Sequence, residues 1–383
     1  MFVQSPPMGF NTWNTFMEEI NEDLIKSTAD MMVESGLLAA GYNYLVIDDC
    51  WALRERDAEG NLVADPEKFP SGMKAVADYV HSKGLKFGMY SCVGTMTCAR
   101  YPGSYGHEYR DAKTFADWGV DFLKYDYCFR PKNTKGVDLY RKMAIALKKT
   151  GRDILFSACS WGHDETKEWI DATGANMWRA TGDIKESWQH IRDLARQGAE
   201  MNFRNWANCF ADLDMLVVGM NGEGACSITA CNADEYRTHF GFWAMAGSPL
   251  MIGCDIRKMD ETAKEILFNK DIIAINQDSD MNRPLQIAAS DEQGDWNESG
   301  EDTYTLVKVL ENGDIAVGFF NFSEKKMRRY VTPSMLGLDA DMPIQFKVKD
   351  LWNGEYVELS NETLFRIIQP HCCEIYRYEV ANG

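Results

Sequence analysis

The chain has 383 residues, 45% of them hydrophobic and 26% charged, the balance of a folded protein too long for one compact core, so two domains are expected. Its 58 acidic against 40 basic residues leave a net charge of −18, which argues against nucleic acid or an anionic membrane as partner, since both demand a positive surface. No run of apolar residues is long enough to span a bilayer, and the six scattered histidines show no HxH or HExxH spacing, so no metal site is expected.

Residues Met1–Pro7 carry neither a basic segment nor an apolar stretch, which predicts a cytoplasmic protein, or a secreted one if a leader has been removed. The eleven cysteines contain no CxxC and are expected to be mostly reduced and buried.

From residue 8 to about 275, short apolar runs alternate with amphipathic stretches. Strands are predicted at Met8–Asn11, Tyr44–Ile47, Lys86–Tyr90, Asp121–Tyr125, Ile154–Ala158, Asn176–Arg179, Asn202–Trp206 and Leu250–Ile252. Helices are predicted between them, at Asp23–Ala39, Met73–Lys83, His107–Trp118, Val137–Lys149, Ile184–Gln197, Asp234–Ala246 and Glu261–Phe268. Eight strands in this length match a (β/α)8 barrel over residues 1–280. No GxGxxG or Walker sequence supports an open nucleotide-binding sheet.

Beyond residue 280 the character changes. An acidic, polar stretch at Ser290–Gly300 is followed by alternating runs at Tyr304–Val309, Ile315–Phe320, Arg328–Val331, Ile344–Lys349, Thr363–Ile368 and Cys373–Tyr378, with Asn-Gly turns between. This predicts a C-terminal antiparallel β-sandwich domain over residues 281–383.

Active sites of such barrels lie at the carboxyl ends of the strands. Those ends carry Trp13, then Asp48 and Asp49, Tyr90, Lys124 with Asp126, Cys159-Ser160-Trp161, Arg179 with Asp183, and Asp212 with Asp214. Carboxylates with aromatics and one or two cations suit a sugar: carboxylates accept hydroxyl protons, and aromatic faces cover the C–H side of the ring. Pattern alone leaves Asp126 and Asp183 also readable as helix N-caps, and Lys124 as an ion-pair partner or a Schiff-base lysine.

The same residues lie in segments that resemble glycoside hydrolase family 27, the α-galactosidases and α-N-acetylgalactosaminidases. The segments include PPMGFNTWNTF (6–16), YLVIDDCW (44–51), PGSYGHEYRDAKTFADWGVDFLKYDYC (102–128), RATGDI (179–184), DLDMLVVG (212–219) and GSPLMIGCDIRKM (247–259), in order across the first 280 residues. The resemblance implies a (β/α)8 barrel followed by an antiparallel β domain. It implies Asp126 as nucleophile and Asp183 as general acid/base of a retaining exo-hydrolase of α-galactosides, with no cofactor.

Carried over in the same way, Asp48 and Asp49 grip the 4- and 6-hydroxyls, Lys124 the 3- and 4-hydroxyls, and Arg179 the 2-hydroxyl side. Trp13 and Tyr90 wall the pocket, Cys159, Ser160 and Trp161 form its fifth-strand side, and Asp214 is a supporting carboxylate. Lys124 is expected to keep Asp126 ionised, and the surroundings of Asp183 to raise its pKa.

Two departures matter. Ser160 stands where many galactosidases of the family carry Glu and the N-acetylgalactosamine-specific members carry Ser, which keeps that specificity as the alternative; β-L-arabinopyranosides are a further side activity. Cys98 and Cys128 match a bridged pair of the family, while Glu18 stands where secreted animal members offer Cys50 a partner. This resembles a bacterial intracellular enzyme acting on short oligosaccharides. Family members are often oligomeric, so a homo-oligomer is one expectation; a nucleic-acid or membrane partner is not.

Overall fold

A computed structural model describes residues 4–206, 208–280, 282–287, 302–338, 345–359 and 363–381. The first eight strands are β1 (Met8–Asn11), β2 (Tyr44–Val46), β3 (Lys86–Cys92), β4 (Phe122–Asp126), β5 (Leu155–Cys159), β6 (Met177–Arg179), β7 (Phe210–Asp212) and β8 (Leu250–Ile252). They form one parallel sheet in the order β7-β6-β5-β4-β3-β2-β1-β8. The gap between β7 and β8 is closed by Leu216, whose N–H donates to the Met251 carbonyl at 2.7 Å and whose carbonyl accepts from Gly253 at 2.9 Å. The result is the (β/α)8 barrel expected from the sequence. Closure draws β1 and β2 so near that a Cβ on Gly9 would stand 2.2 Å from the Tyr44 carbonyl oxygen.

Helices α1 (Trp13–Phe16), α2 (Glu22–Glu34), α3 (Met73–Ser82), α4 (Glu108–Trp118), α5 (Gly136–Lys149), α6 (Trp188–Glu200), α7 (Ala233–Ala246), α8 (Glu261–Leu267) and α9 (Lys270–Asn276) accompany these strands. Helices α2, α6, α7, α8 and α9 start on side-chain caps. Asn21 accepts from the Leu24 N–H, Ser187 from His190, and Asn232 forms a reciprocal capping box with Glu235. On β4, Tyr125 meets Tyr140 of α5 with ring centroids 6.1 Å apart, so the alternating Lys124 and Asp126 face the barrel interior.

Helix α2 ends at Glu34 rather than Ala39, with Gly36 in a left-handed turn just beyond it, and two further elements differ from the sequence expectation. The seventh strand is Phe210–Asp212, not Asn202–Trp206. Asn202 and Phe203 both adopt left-handed backbone, φ 52 and 48, which no strand accepts; Phe203 is buried and supplied a misleading apolar signal. Helix α6 begins at Trp188 rather than Ile184, because Ser187 caps it and the preceding segment is held by other contacts.

The C-terminal strands are β9 (Leu285–Gln286), β10 (Thr303–Val309), β11 (Ile315–Asn321), β12 (Met327–Val331), β13 (Gln345–Asp350), β14 (Tyr356–Val357), β15 (Leu364–Ile368) and β16 (Cys373–Ala381). An antiparallel sheet in the order β14-β13-β16-β11-β10-β9 faces the pair β12-β15. Val317, Phe319 and Tyr376 of the large sheet share a core with Met327, Val331, Leu364 and Ile368 of the small one, the expected sandwich. The acidic stretch Ser290–Gly300 and Ile344 lie outside the described residues.

Helix α7 joins the two halves. Eleven of its 14 residues are buried, because it is covered by the barrel on one side and the sheet on the other. The ring of Phe242 meets those of Tyr304, Phe320 and Phe322 with centroids 5.5, 5.1 and 5.3 Å away. Lys308 donates to the Ile275 carbonyl at 2.6 Å, and Lys349 pairs with Asp271 at 2.9 Å. Among the described residues, no helix is long and apolar enough to cross a membrane.

Candidate active site

The strand-end residues converge as the barrel geometry requires. Asp48 follows β2 and is buried; its Oδ2 accepts from Lys124 Nζ at 2.8 Å and from Asn11 Nδ2 at 2.8 Å. Its backbone N–H donates to Thr12 Oγ1, which locks the end of β2 against β1. Asp49 turns its Oδ1 to the Cys50 N–H at 2.7 Å and its Oδ2 to the Ala99 N–H at 3.0 Å, so it also fixes the loop after β3. Burial raises its pKa despite these donors.

Asp126, the last residue of β4, is 6% exposed. Its Oδ2 accepts from the Tyr90 hydroxyl at 3.0 Å and its Oδ1 from the Tyr127 N–H at 2.8 Å. Burial pushes its pKa up to about 6, against the pull of Lys124 and of the Tyr127 N–H; the charges of Asp183 and Asp48 push the same way as burial. Lys124 draws this carboxyl towards its anion, as expected, but does not prevail. The ammonium is committed to Asp48, and desolvation of Asp126 outweighs what reaches it. A lysine so paired stays charged, which removes the Schiff-base reading.

Asp183 stands at the mouth with its side chain 68% exposed. Crowding by the surrounding walls pushes its pKa up, but the Arg179 guanidinium, 2.8 Å away and hydrogen bonded to it, wins and holds the carboxyl below the usual range, helped by Lys124 and Lys185. The expected rise is corrected because here the balance runs the other way: a buried guanidinium hydrogen bonded to a carboxylate favours the anion. Neither acid is a helix N-cap. The next helix after Asp126 begins at Gly136, and the cap after Asp183 is Ser187.

Arg179, at the end of β6, is the hub. One nitrogen pairs with Asp214 at 2.9 Å while the other reaches Asp183 and the Gly182 carbonyl, both at 2.8 Å. Asp214 holds a left-handed backbone, φ 81, fixed by three contacts. Its N–H donates to Asp212 Oδ1, its Oδ2 accepts from Ile184, and its carbonyl accepts from the Trp243 indole. Burial raises both of these carboxyls, Asp212 to about 7, with Arg179 opposing. Beneath lies a cavity of ≈ 20 Å³ lined by Asn11, Lys124, Ser157, Arg179 and Asp212, room for a single water.

The fifth-strand loop is tightly wound. Trp161, Gly162, Asp164 and Glu165 all have positive φ, and a Cβ on Gly162 would meet the Ala180 carbonyl at 2.5 Å. Cys159 is buried 3.8 Å from Arg179. Ser160 is 0% exposed, its hydroxyl 2.8 Å from that of Thr166, so it pins the loop. Trp161 and Trp13 are half-buried at the rim, and Tyr90 is buried beside Asp126. Sequence reasoning missed Glu186, a fully buried carboxylate three residues beyond Asp183. It accepts from the Gly222 N–H at 3.0 Å, the Ser227 hydroxyl at 2.5 Å and the Tyr236 hydroxyl. Its signal, a lone Glu before a Ser cap, is that of any capping segment. Cys98 and Cys128 form a disulfide; the other nine cysteines are free, six of them buried.

Comparison with known proteins agrees with this geometry. The family described as Alpha galactosidase A matches residues 5–278, and the one described as Alpha galactosidase C-terminal beta sandwich domain matches residues 300–378. An α-galactosidase of Cyamopsis tetragonoloba is 41% identical over 377 residues, 97% of this chain and 86% of the relative. The crystal structure of α-galactosidase I from Mortierella vinacea is similar with a TM-score of 0.86 at 32% identity, covering 98% of this chain and 97% of the other. The α-galactosidase of Saccharomyces cerevisiae with raffinose is similar with a TM-score of 0.86 at 30% identity, covering 99% and 98%.

Proposed function

Since the chain belongs to the α-galactosidases of glycoside hydrolase family 27 and is a glycoside hydrolase, we propose that it releases terminal α-linked D-galactose from short oligosaccharides by double displacement with retention. The observation that carries this reading is the convergence of two unlike carboxylates, Asp126 sunk at the end of β4 and Asp183 open at the mouth, close enough to repel each other. Asp126 attacks the anomeric carbon while Asp183 protonates the leaving oxygen. Asp183 then takes a proton from water, which displaces the sugar from Asp126.

In the free site the proton preference is inverted: Asp126 holds its proton to about pH 6 and Asp183 gives its own up early. The reactive arrangement is the tautomer with the proton on Asp183. A sugar whose 2-hydroxyl engages Arg179 draws the guanidinium off Asp183 and lets it take that proton. Raffinose, held by the yeast relative, is the size of substrate such a closed pocket suits.

The alternative specificity, for α-N-acetylgalactosaminides, rested on Ser160. With the Thr166 hydroxyl given to the His163 carbonyl, the Ser160 hydroxyl spends its proton on Thr166 and has none to give a 2-acetamido carbonyl, which favours galactose. Purified protein should hydrolyse p-nitrophenyl α-galactoside far faster than p-nitrophenyl α-N-acetylgalactosaminide, and Asp126→Asn should lose about a thousandfold or more on the former. Preference for the acetamido sugar would reverse the specificity; appreciable turnover by the variant would remove Asp126 as nucleophile. β-L-Arabinopyranosides, lacking only the hydroxymethyl group, are the side activity to assay with them.

A further inference from the structure

The Cys98–Cys128 disulfide ties the loop after β3 to the loop after β4, and Cys128 lies two residues beyond Asp126. Both sulfurs and a carboxylate oxygen of Asp126 lie within 4.8 Å of one another, and among the described residues no other three His, Cys, Asp or Glu side chains gather so closely. Neither cysteine is buried, so small reagents reach the bridge from the mouth of the site. Each oxygen of Asp126 accepts one hydrogen bond from the protein, leaving each a lone pair.

While the bridge stands, its sulfurs are committed to one another. Once it opens, two thiolates and a carboxylate at this spacing form a donor set for a soft or borderline divalent cation. We propose that reduction of Cys98–Cys128 turns the nucleophile's surroundings into a site for a thiophilic cation such as Zn²⁺ or Cd²⁺, held by both sulfurs and Asp126, so that the enzyme is silenced by metal only in its reduced form. Binding of the cation stands apart from the role assigned to Asp126; loss of turnover rests on that role. The chemistry closes with a phosphine as reductant. Phosphorus attacks one sulfur and the S–S bond breaks. Water then converts the thiophosphonium to phosphine oxide, leaving two thiols, and each thiol gives its proton to buffer as it ligates the metal.

A plain staple, once opened, would offer a metal two thiolates and leave turnover untouched; here the nucleophile's own carboxylate completes the donor set. Of the other thiols near the site, Cys92 is buried with its sulfur 3.1 Å from the Cys128 carbonyl and Cys159 is buried under Arg179, while Cys226, half-buried beside Asp214 and Asp183, is a lone thiol that is free whether or not the bridge is reduced.

The test uses the full chain, untreated or reduced with a phosphine that is then removed anaerobically. Each form is titrated with Cd²⁺ and followed by the ultraviolet thiolate-to-cadmium charge-transfer band and by p-nitrophenyl α-galactoside turnover. The expected result is a band from the first equivalent in the reduced protein alone. Turnover should fall about tenfold or more with it and recover with EDTA while the protein stays reduced. The paired variant Cys98→Ser/Cys128→Ser should show neither band nor inhibition at that first equivalent. Should that variant fold poorly, Asp126→Asn, reduced, should bind Cd²⁺ several-fold more weakly. Four outcomes overturn the proposal: equal inhibition of the oxidised protein, turnover lost on reduction before metal is added, tight binding that leaves turnover intact, or a variant that binds the first equivalent as wild type does. A band of normal affinity in the wild type with no effect on turnover would also count against Asp126 as nucleophile, whereas absence of any band sinks the metal site alone.

Discussion

In the proposed mechanism Asp126 and Asp183 share one working proton, and its loss sets the alkaline edge of activity. With Asp126 raised to about 6 and Asp183 lowered, the singly protonated pair exists only below about pH 6. A plot of kcat/KM against pH for a neutral galactoside should therefore be a bell with its falling limb near 6. A limb displaced by two units to the alkaline side would show that substrate-free burial does not govern the pair. Asp212 makes a stability statement with the same sign. Its folded pKa, about 7, lies above the ordinary 3.8, so the folded state binds the extra proton. The stability this group permits is whole below the ordinary value and drains away as pH rises through about 7. Asp212→Asn should thus flatten the fall of Tm between pH 4.5 and 7.5 and raise Tm at the upper end by a few degrees, on the order of 1 kcal/mol. Calorimetry at both pH values checks this; a parallel shift at the two would sink it. At this scale the sequence was generous about identity and silent about charge state. The motif around Lys124-Tyr125-Asp126 names the residues, but which carboxylate Lys124 and Arg179 neutralise depends on approach distances that no spacing encodes.

Among the elements, length alone did not decide legibility: the short strands β1 and β8 were read with the bounds the structure has, and β7 was not. Strand β4, with Lys124 and Asp126 inward and Tyr125 outward, announces itself by an apolar run ending in charge. Strand β7 has three residues, too few to carry a period, and the nearby Phe203 imitates one. The segment between β6 and α6 reads as helix from Ile184 onward, yet Glu186 is claimed by donors on the 222–236 segment, so the helix waits for Ser187. That claim fixes the stretch that carries Asp183. Glu186→Gln should put an amide NH₂ against the fixed Gly222 N–H, cost ~2–3 kcal/mol and lower Tm by several degrees. Thermal unfolding of the variant tests it, and an unchanged Tm would mean that the segment is held by its other contacts.

For the molecule as a whole, α7 decides whether the barrel stands alone. Its outer face carries Phe242, which the aromatic rings of the β sandwich cover. Residues 1–280 expressed alone should expose that face and be recovered aggregated or associated, as judged by size-exclusion chromatography. A monodisperse, active fragment would show that the sandwich is dispensable. The split near residue 280 was read from a change of pattern; that the sandwich serves as a cover for one barrel helix was not, because α7 looks the same in sequence whether its second face meets a membrane, a partner or its own chain.

The strand order of that cover has a consequence for how the enzyme is made. β16, the final strand, lies in the middle of the large sheet, between β13 and β11. As the chain leaves the ribosome, β11 emerges on the order of 3–10 s before the neighbour it must pair with. Throughout that interval the half-built sheet offers two open edges beside an uncovered α7, a surface that chaperones would recognise and neighbouring nascent chains would join. The large sheet is therefore completed only once β16 has emerged, and a chain cut short within β16 lacks a strand in the middle of the sheet, between β13 and β11, where one might have expected only a frayed edge.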